Sequence, residues 1–192
     1  MYPIDMQIAP AQSPRDRLSV ALRIFYLIPH IIVLYLYQLA AGVVMLVHWF
    51  VIVFTGKRNE SMQDFTARYL SYLASVTAYG SLLHDQFPPF GRVDPGGPIS
   101  VSVPGAGGDA NRLTVALRLF IVIPAGIISA VLSFAAQFVA IVSWFQIVFT
   151  GQQSEGMRDF IARVIRYSIQ VQGYSALLTD EYPWPSATGF SG

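Results

Sequence analysis

The sequence predicts an all-α integral membrane protein made of two tandem repeats, with about four membrane helices. Three observations predict it. Ile31 to Thr55 holds no charged residue; as a helix rising about 1.5 Å per residue it would reach roughly 37 Å, enough to cross a hydrocarbon core of about 30 Å with some tilt. A second apolar stretch, Gly126 to Thr150, occupies the matching place later in the chain. Pro3 to Pro88 also aligns without a gap on Pro98 to Pro183, with nearly half the positions from Arg17 to Pro88 identical, which a duplicated fold explains most simply.

Composition supports the class. The 192 residues are 54% apolar and only 12% charged, with a mean hydropathy of +0.50; soluble domains carry about 25% charge. The net charge of +1 and the absence of basic runs leave no electrostatic footprint for nucleic acid. With no cysteine, disulfides, thiolate metal sites and thiol nucleophiles are excluded. Met1 to Arg17 lacks the apolar core of a secretory signal, so insertion is expected to rely on the first apolar segment.

In chain order, residues 1–90 read as the first repeat, 91–111 as a Gly/Pro-rich linker, 112–185 as the core of the second repeat, and 186–192 as a loose tail. Each repeat opens on an alternating stretch, Ile4 to Ile8 and Ile99 to Val103 (the second near 98–103). This pattern reads either as two short strands that pair or as two extended tails. Arg17 to Ile28, closed by Pro29, places Asp16, Ser19, Arg23 and Tyr26 on one narrow sector. That predicts an amphipathic interfacial helix with Arg23 reaching water or phosphate; the alternative is a proline-kinked extension of the membrane helix. Asn111, Thr114 and Arg118 repeat the sector. Trp49 and Trp144 fall near the ends of the strong transmembrane helices, where indole rings favour the interface. Arg23, Arg118, Trp49 and Trp144 are therefore candidate lipid-headgroup contacts.

Gly56 and Gly151 suit helix C-caps, and Asn59 or Ser154 can cap the next helix, with Glu60 or Glu155 in its first turn. That weaker amphipathic helix carries a recurring polar stripe: Glu60, Asp64, Arg68, Tyr72 and Tyr79, matched by Glu155, Asp159, Arg163, Tyr167 and Tyr174. An Asp–Arg pair at i, i+4 inside a membrane marks a solute path or a docking face for another subunit. Near the headgroups it merely fastens a hairpin. Both copies then close on Asp-x-aromatic-Pro, at Asp85 and Asp180. Two such hairpins would put both ends and the linker on one side. Basic residues balance between the faces (Arg15, Arg17, Arg92 and Arg112 against Lys57, Arg58 and Arg158), so orientation is undecided.

The residues Arg23-x5-Pro29-His30, Trp49-Phe50-x3-Phe54-Thr-Gly56, Asp64-Phe65 and Tyr79-x2-Leu82-Leu83-x-Asp85-x-Phe87-Pro88-Pro89-Phe90 together resemble a bacterial membrane-protein family catalogued as domain of unknown function 4389, here in two tandem copies. The second copy departs from it at Ala125 and at Pro183-Trp184-Pro185. The resemblance implies a bacterial membrane protein and brings no catalytic residues.

No catalytic, cofactor or metal residues are assigned. His30, His48 and His84 lack ligand spacing, and their repeat partners are Ala125, Ser143 and Thr179. His48 beside Trp49 is expected at the interface. No nucleophile elbow, phosphate loop or dinucleotide fingerprint occurs. The expected function is a non-enzymatic integral membrane accessory or scaffold subunit in the bacterial cytoplasmic (inner) membrane, multi-pass, needing no cofactor. Its partners would be membrane lipids and other membrane subunits or further copies of itself, and no nucleic acid. The alternatives are an oligomeric small-solute or ion transporter or channel, and a lipid-modifying membrane enzyme.

Overall fold

The alternating and charge-free segments become two strands and six helices in the computed structural model, which describes residues 2–10, 13–91 and 96–185. Arg92 and the tail over 186–192 lie outside them. The elements are β1 (Asp5–Ile8), α1 (Arg17–Ala21), α2 (Arg23–Thr55), α3 (Glu60–Gly80), β2 (Ile99–Ser102), α4 (Arg112–Ile121), α5 (Ile123–Thr150) and α6 (Glu155–Ser175). Each repeat thus contributes one strand and three helices.

Local chemistry sets the boundaries. The Asp16 carboxylate accepts from the Leu18 and Ser19 amides at 3.1 and 3.4 Å, and Asn111 does the same for Leu113 and Thr114 at 3.1 and 3.2 Å. Gly56 and Gly151 take the left-handed conformation, both at φ 75°, and stop α2 and α5. Asn59 caps α3 through the Met62 amide, whereas Ser154 sits at the α6 N-cap with no side-chain bond.

A separate interfacial helix ending at Pro29 does not form. The break falls earlier, at Leu22, and α2 continues through Pro29. Extension of the membrane helix through Pro29 is the better description of the first repeat from Arg23 onward. In the second, Pro124 lies in the first turn of α5, where a missing amide costs no bond.

Three layers result. β1 and β2 pair antiparallel, with Met6 opposite Val101, its repeat equivalent, so a pseudo-two-fold axis passes between them. Ile4, Met6 and Ile99 point inward onto Leu70 and Ala74 of α3 and Ile165 and Ile169 of α6. Asp5, Gln7, Ser100 and Ser102 face outward. The helices α3 and α6, packed on each other, form the middle layer. The outer layer is α2 over α3 and α5 over α6, crossed at their ends by α4 and α1.

The repeats are inverted, not side by side. Trp49 Nε1 at the end of α2 donates to the Val115 carbonyl of α4 at 2.9 Å, and Trp144 donates to Val20 at 2.9 Å. The helices α2 and α5 therefore run antiparallel. The expected arrangement of two hairpins with the linker on the same side as both ends is corrected in part: the ends stay together, with Tyr2 beside Glu181, but the linker crosses to the other side, because α4 starts where α2 ends.

The chain must travel to achieve this. Residues 2–10 and 13–15 lie along the whole of α6. Tyr2 Oη donates to the Glu181 carbonyl (2.9 Å), and Gln170, Arg166 and Arg158 donate to the Ile4, Met6 and Ala9 carbonyls (3.2, 3.0 and 2.9 Å). The Arg15 amide then reaches Gly151 (2.9 Å). Residues 97–110 trace α3 in the same way. Ile99 lies by Ser75 and His84, the Gly107 amide donates to Gln63 Oε1 (2.8 Å), and the Ala110 amide reaches Gly56 (2.9 Å).

Among the described residues, two helices, α2 and α5, are long and apolar enough to cross a membrane, and little of either is buried. The other two long helices, α3 and α6, make the protein interior.

Candidate functional site

The recurring stripe divides in two. Tyr72, Tyr79, Tyr167 and Tyr174 are buried, while Glu60, Asp64, Arg68, Glu155 and Asp159 are exposed and Arg163 is half-buried. The stripe is therefore not one continuous polar face. Among the described residues, Asp64 and Arg68 form no ion pair. Arg158, Asp159, Arg163 and Arg166 line an open groove beside Ile8 at the ribbon edge.

Charge converges elsewhere, at the ends of α3 and α6. Both helices finish in a Schellman motif: the Leu83 amide returns to Ala78 and the Leu82 amide to Tyr79, with Leu178, Gly173, Leu177 and Tyr174 repeating the pattern. The left-handed position is a leucine in each copy, Leu82 and Leu177, both at φ 65°. A non-glycine residue there costs about 1–2 kcal/mol, which its surroundings must offset.

Guanidinium groups surround that turn. Arg23 Nη1 donates to the Tyr79 and His84 carbonyls (3.0 and 3.1 Å), Nη2 meets Asp85 Oδ1 at 2.6 Å, and its Cζ lies 4.5 Å from the Tyr79 ring centroid. Arg118 repeats the set on Tyr174, Thr179 and Asp180, at 3.0, 2.9 and 2.5 Å, over the Tyr174 ring. Arg23 and Arg118 are only 1% and 2% exposed. Instead of reaching phosphate as expected, they turn inward and cap orphan helix carbonyls, a favourable place for a cation.

Each aspartate takes a second guanidinium, and its source differs. Arg15 Nε lies 2.6 Å from Asp85 Oδ2, while its other nitrogens donate to Leu82 O and Gln153 Oε1, both at 2.9 Å. At Asp180 the second partner is Arg58, at 2.6 Å, which also donates to Leu177 O and Asp109 O. The repeat equivalents of Arg15 and Arg58 are Ala110 and Gln153. The second arginine of each clamp thus enters from opposite sides of the same slot.

Burial pushes the Asp85 and Asp180 carboxyls up, but the hydrogen bonds and charges of their two arginines outweigh it and hold both below the usual carboxylate range. Burial lowers His84, next to Asp85, to about 4, so its imidazole is neutral at pH 7.

The tryptophans also turn toward protein, joining the repeats through the two indole bonds described above. His48 is buried, not interfacial; its Nε2 accepts from the Asn59 amide at 3.2 Å and secures the α2–α3 turn. His30 stacks on Phe90 with centroids 4.4 Å apart and bonds Tyr72 Oη at 2.9 Å. The Asp-x-aromatic-Pro recurrence is the sequence signal that leads to Asp85 and Asp180. Arg15 and Arg58 carry no repeat signal.

No curated protein and no solved structure matches the chain. A family model described as a domain of unknown function, DUF4389, matches twice, over residues 17–91 and 112–187. These bounds take in the three helices of each inverted unit and its aspartate, leaving out the strand, and so the chain belongs to the DUF4389 family, in two tandem copies.

Proposed function

We propose that this protein is a non-enzymatic membrane accessory or scaffold subunit, engaging lipids and a larger membrane complex. The observation that carries the reading is the outer face of α2 and α5. Residues 24–56 and 119–151 contain no Asp, Glu, Lys or Arg, and large apolar side chains such as Leu36, Val43, Phe54, Phe134 and Phe149 stand mostly exposed there. Soluble monomers rarely expose apolar patches beyond a few hundred Å², so a face of this extent calls for lipid or partner cover. The buried charge is spent inside the protein, on the two aspartate clamps. The exposed groups of the stripe remain outside, Asp159 beside the ribbon edge, where a partner can reach them.

Extraction from native membranes in mild detergent, followed by identification of bound proteins, tests this. Membrane partners are expected to co-purify in stoichiometric amounts. Recovery as a lone monomer overturns the scaffold reading.

A second reading, an oligomeric path for a small solute or ion, rests on the polar groove of Arg158, Asp159, Arg163 and Arg166. Its test is D64N with D159N in reconstituted vesicles, where an altered flux in a folded protein supports it and an unchanged flux removes it.

A further inference from the structure

We infer that α2 and α5 lie in the plane of one membrane leaflet, immersed on their outer face, with the β1–β2 ribbon on the water side. The inference rests on the membrane reading above and concerns how the chain sits.

The two extended segments decide it. Residues 2–10 with 13–15, and residues 97–110, lie along the length of α6 and α3 on the side away from α2 and α5. If the long helices stood across a bilayer, both segments would cross it as well, as extended backbone with Asp5, Gln7, Ser100 and Ser102 facing outward at mid-depth. Irregular or open-edged backbone is not stable against hydrocarbon, because its amides and carbonyls have no water to bond. Charge follows the same division. Asp159, Arg158 and Arg166 flank the ribbon, whereas the outer helices carry none between residues 24 and 56 or 119 and 151. Exposed Arg17, Lys57 and Arg112 stand at the helix ends, within reach of headgroup phosphates for helices lying flat. An immersion of about 5–10 Å, usual for interfacial helices, covers one helix layer and leaves the ribbon in water.

The cysteine-free chain allows a direct test. Lys57→Cys and Gln152→Cys mark the exposed ends of α2 and α5, at opposite ends of the molecule, and Ser100→Cys marks the ribbon. Each is treated with a membrane-impermeant maleimide in vesicles of both orientations from the expressing cells. All three sites should label from the same face. Labelling of Lys57→Cys and Gln152→Cys from opposite faces, or of either from both faces, overturns flat seating and leaves the membrane reading intact. A chain that washes off the vesicles defeats the membrane reading itself, and the inference with it. Spin labels at Leu36→Cys, Val43→Cys and Phe54→Cys give an independent measure. One shallow depth for all three supports flat seating. A maximum at Val43 indicates spanning, and shielding of all three from a lipid-soluble quencher indicates that another copy of the chain covers this face; either result overturns it.

Discussion

Asp85 and Asp180 are each shared by two guanidiniums whose side chains are at most 10% exposed. Removing the carboxylate charge leaves two buried cations uncompensated, and breaking such sets typically costs about 3–5 kcal/mol. D85N is expected to lose that much in denaturant unfolding in micelles, whereas D64N, at an exposed site, should stay within about 0.5 kcal/mol. His84 adds a pH dependence. Its folded pKa is depressed to about 4, so near pH 6.5 the unfolded chain takes up a proton that the folded chain refuses. The stability it contributes is complete above about 6.5, drains away as pH falls toward about 4, and amounts to at most about 3 kcal/mol. His84→Thr, the residue of the second copy, should flatten unfolding free energy across that window. Asp85 and Asp180, held below the usual carboxylate range, add a further loss only at lower pH. At this scale the sequence was partly legible. Recurrence singled out the aspartates and the tyrosines, but a helical wheel could not tell that Arg23 points inward, because its sector looks equally suited to headgroups.

Among elements, the second arginine of each clamp comes from a different segment: Arg15 from the arm before α1, Arg58 from the turn before α3. Geometry makes them alternatives for one slot, since Ala110 and Gln153 hold the unused positions. R58Q should destabilise by about 2–4 kcal/mol through loss of a charge-assisted contact and exposure of Asp180 to a single partner. Adding A110R should restore more than half of that loss, because it rebuilds at Asp180 the arrangement that Arg15 and Gln153 make at Asp85. A double-mutant cycle by denaturant unfolding reads the coupling, and strict additivity would sink the equivalence. The long helices were clear from missing charge and their ends from Gly56 and Gly151, whereas alternation left paired strands and extended tails open until the β1–β2 pairing decided it. The joint at Leu22 was not clear, because Pro29 looked like the stronger breaker, and a proline inside a long helix is tolerated where packing holds both flanks.

For the whole molecule, the inverted pairing was hidden from sequence. A gapless repeat specifies two similar units and says nothing of the operator relating them, and hydropathy alone favours parallel hairpins. The contacts reveal a two-fold, with Met6 across from Val101 and the indoles of Trp49 and Trp144 exchanged between units. A two-fold between covalently linked units has the form of a homodimer interface, self-complementary by construction. The first unit holds the groups of a clamp, Arg15, Arg23, Arg58 and Asp85, within residues 1–91, and in a pair of copies Arg58 of one would share the Asp85 slot with Arg15 of the other. It lacks only a second α3-like helix to bury Leu70 and Ala74, and a second strand for β1. Residues 1–91 expressed alone should therefore form a dimer in detergent, with Trp49 of each copy bonded to Val20 of the other. Light scattering on the detergent complex gives the stoichiometry, and W49A should shift it toward monomer. A fragment that is folded and monomeric at micromolar concentration would show that each unit closes its own core, contrary to the shared interior built by α3 and α6.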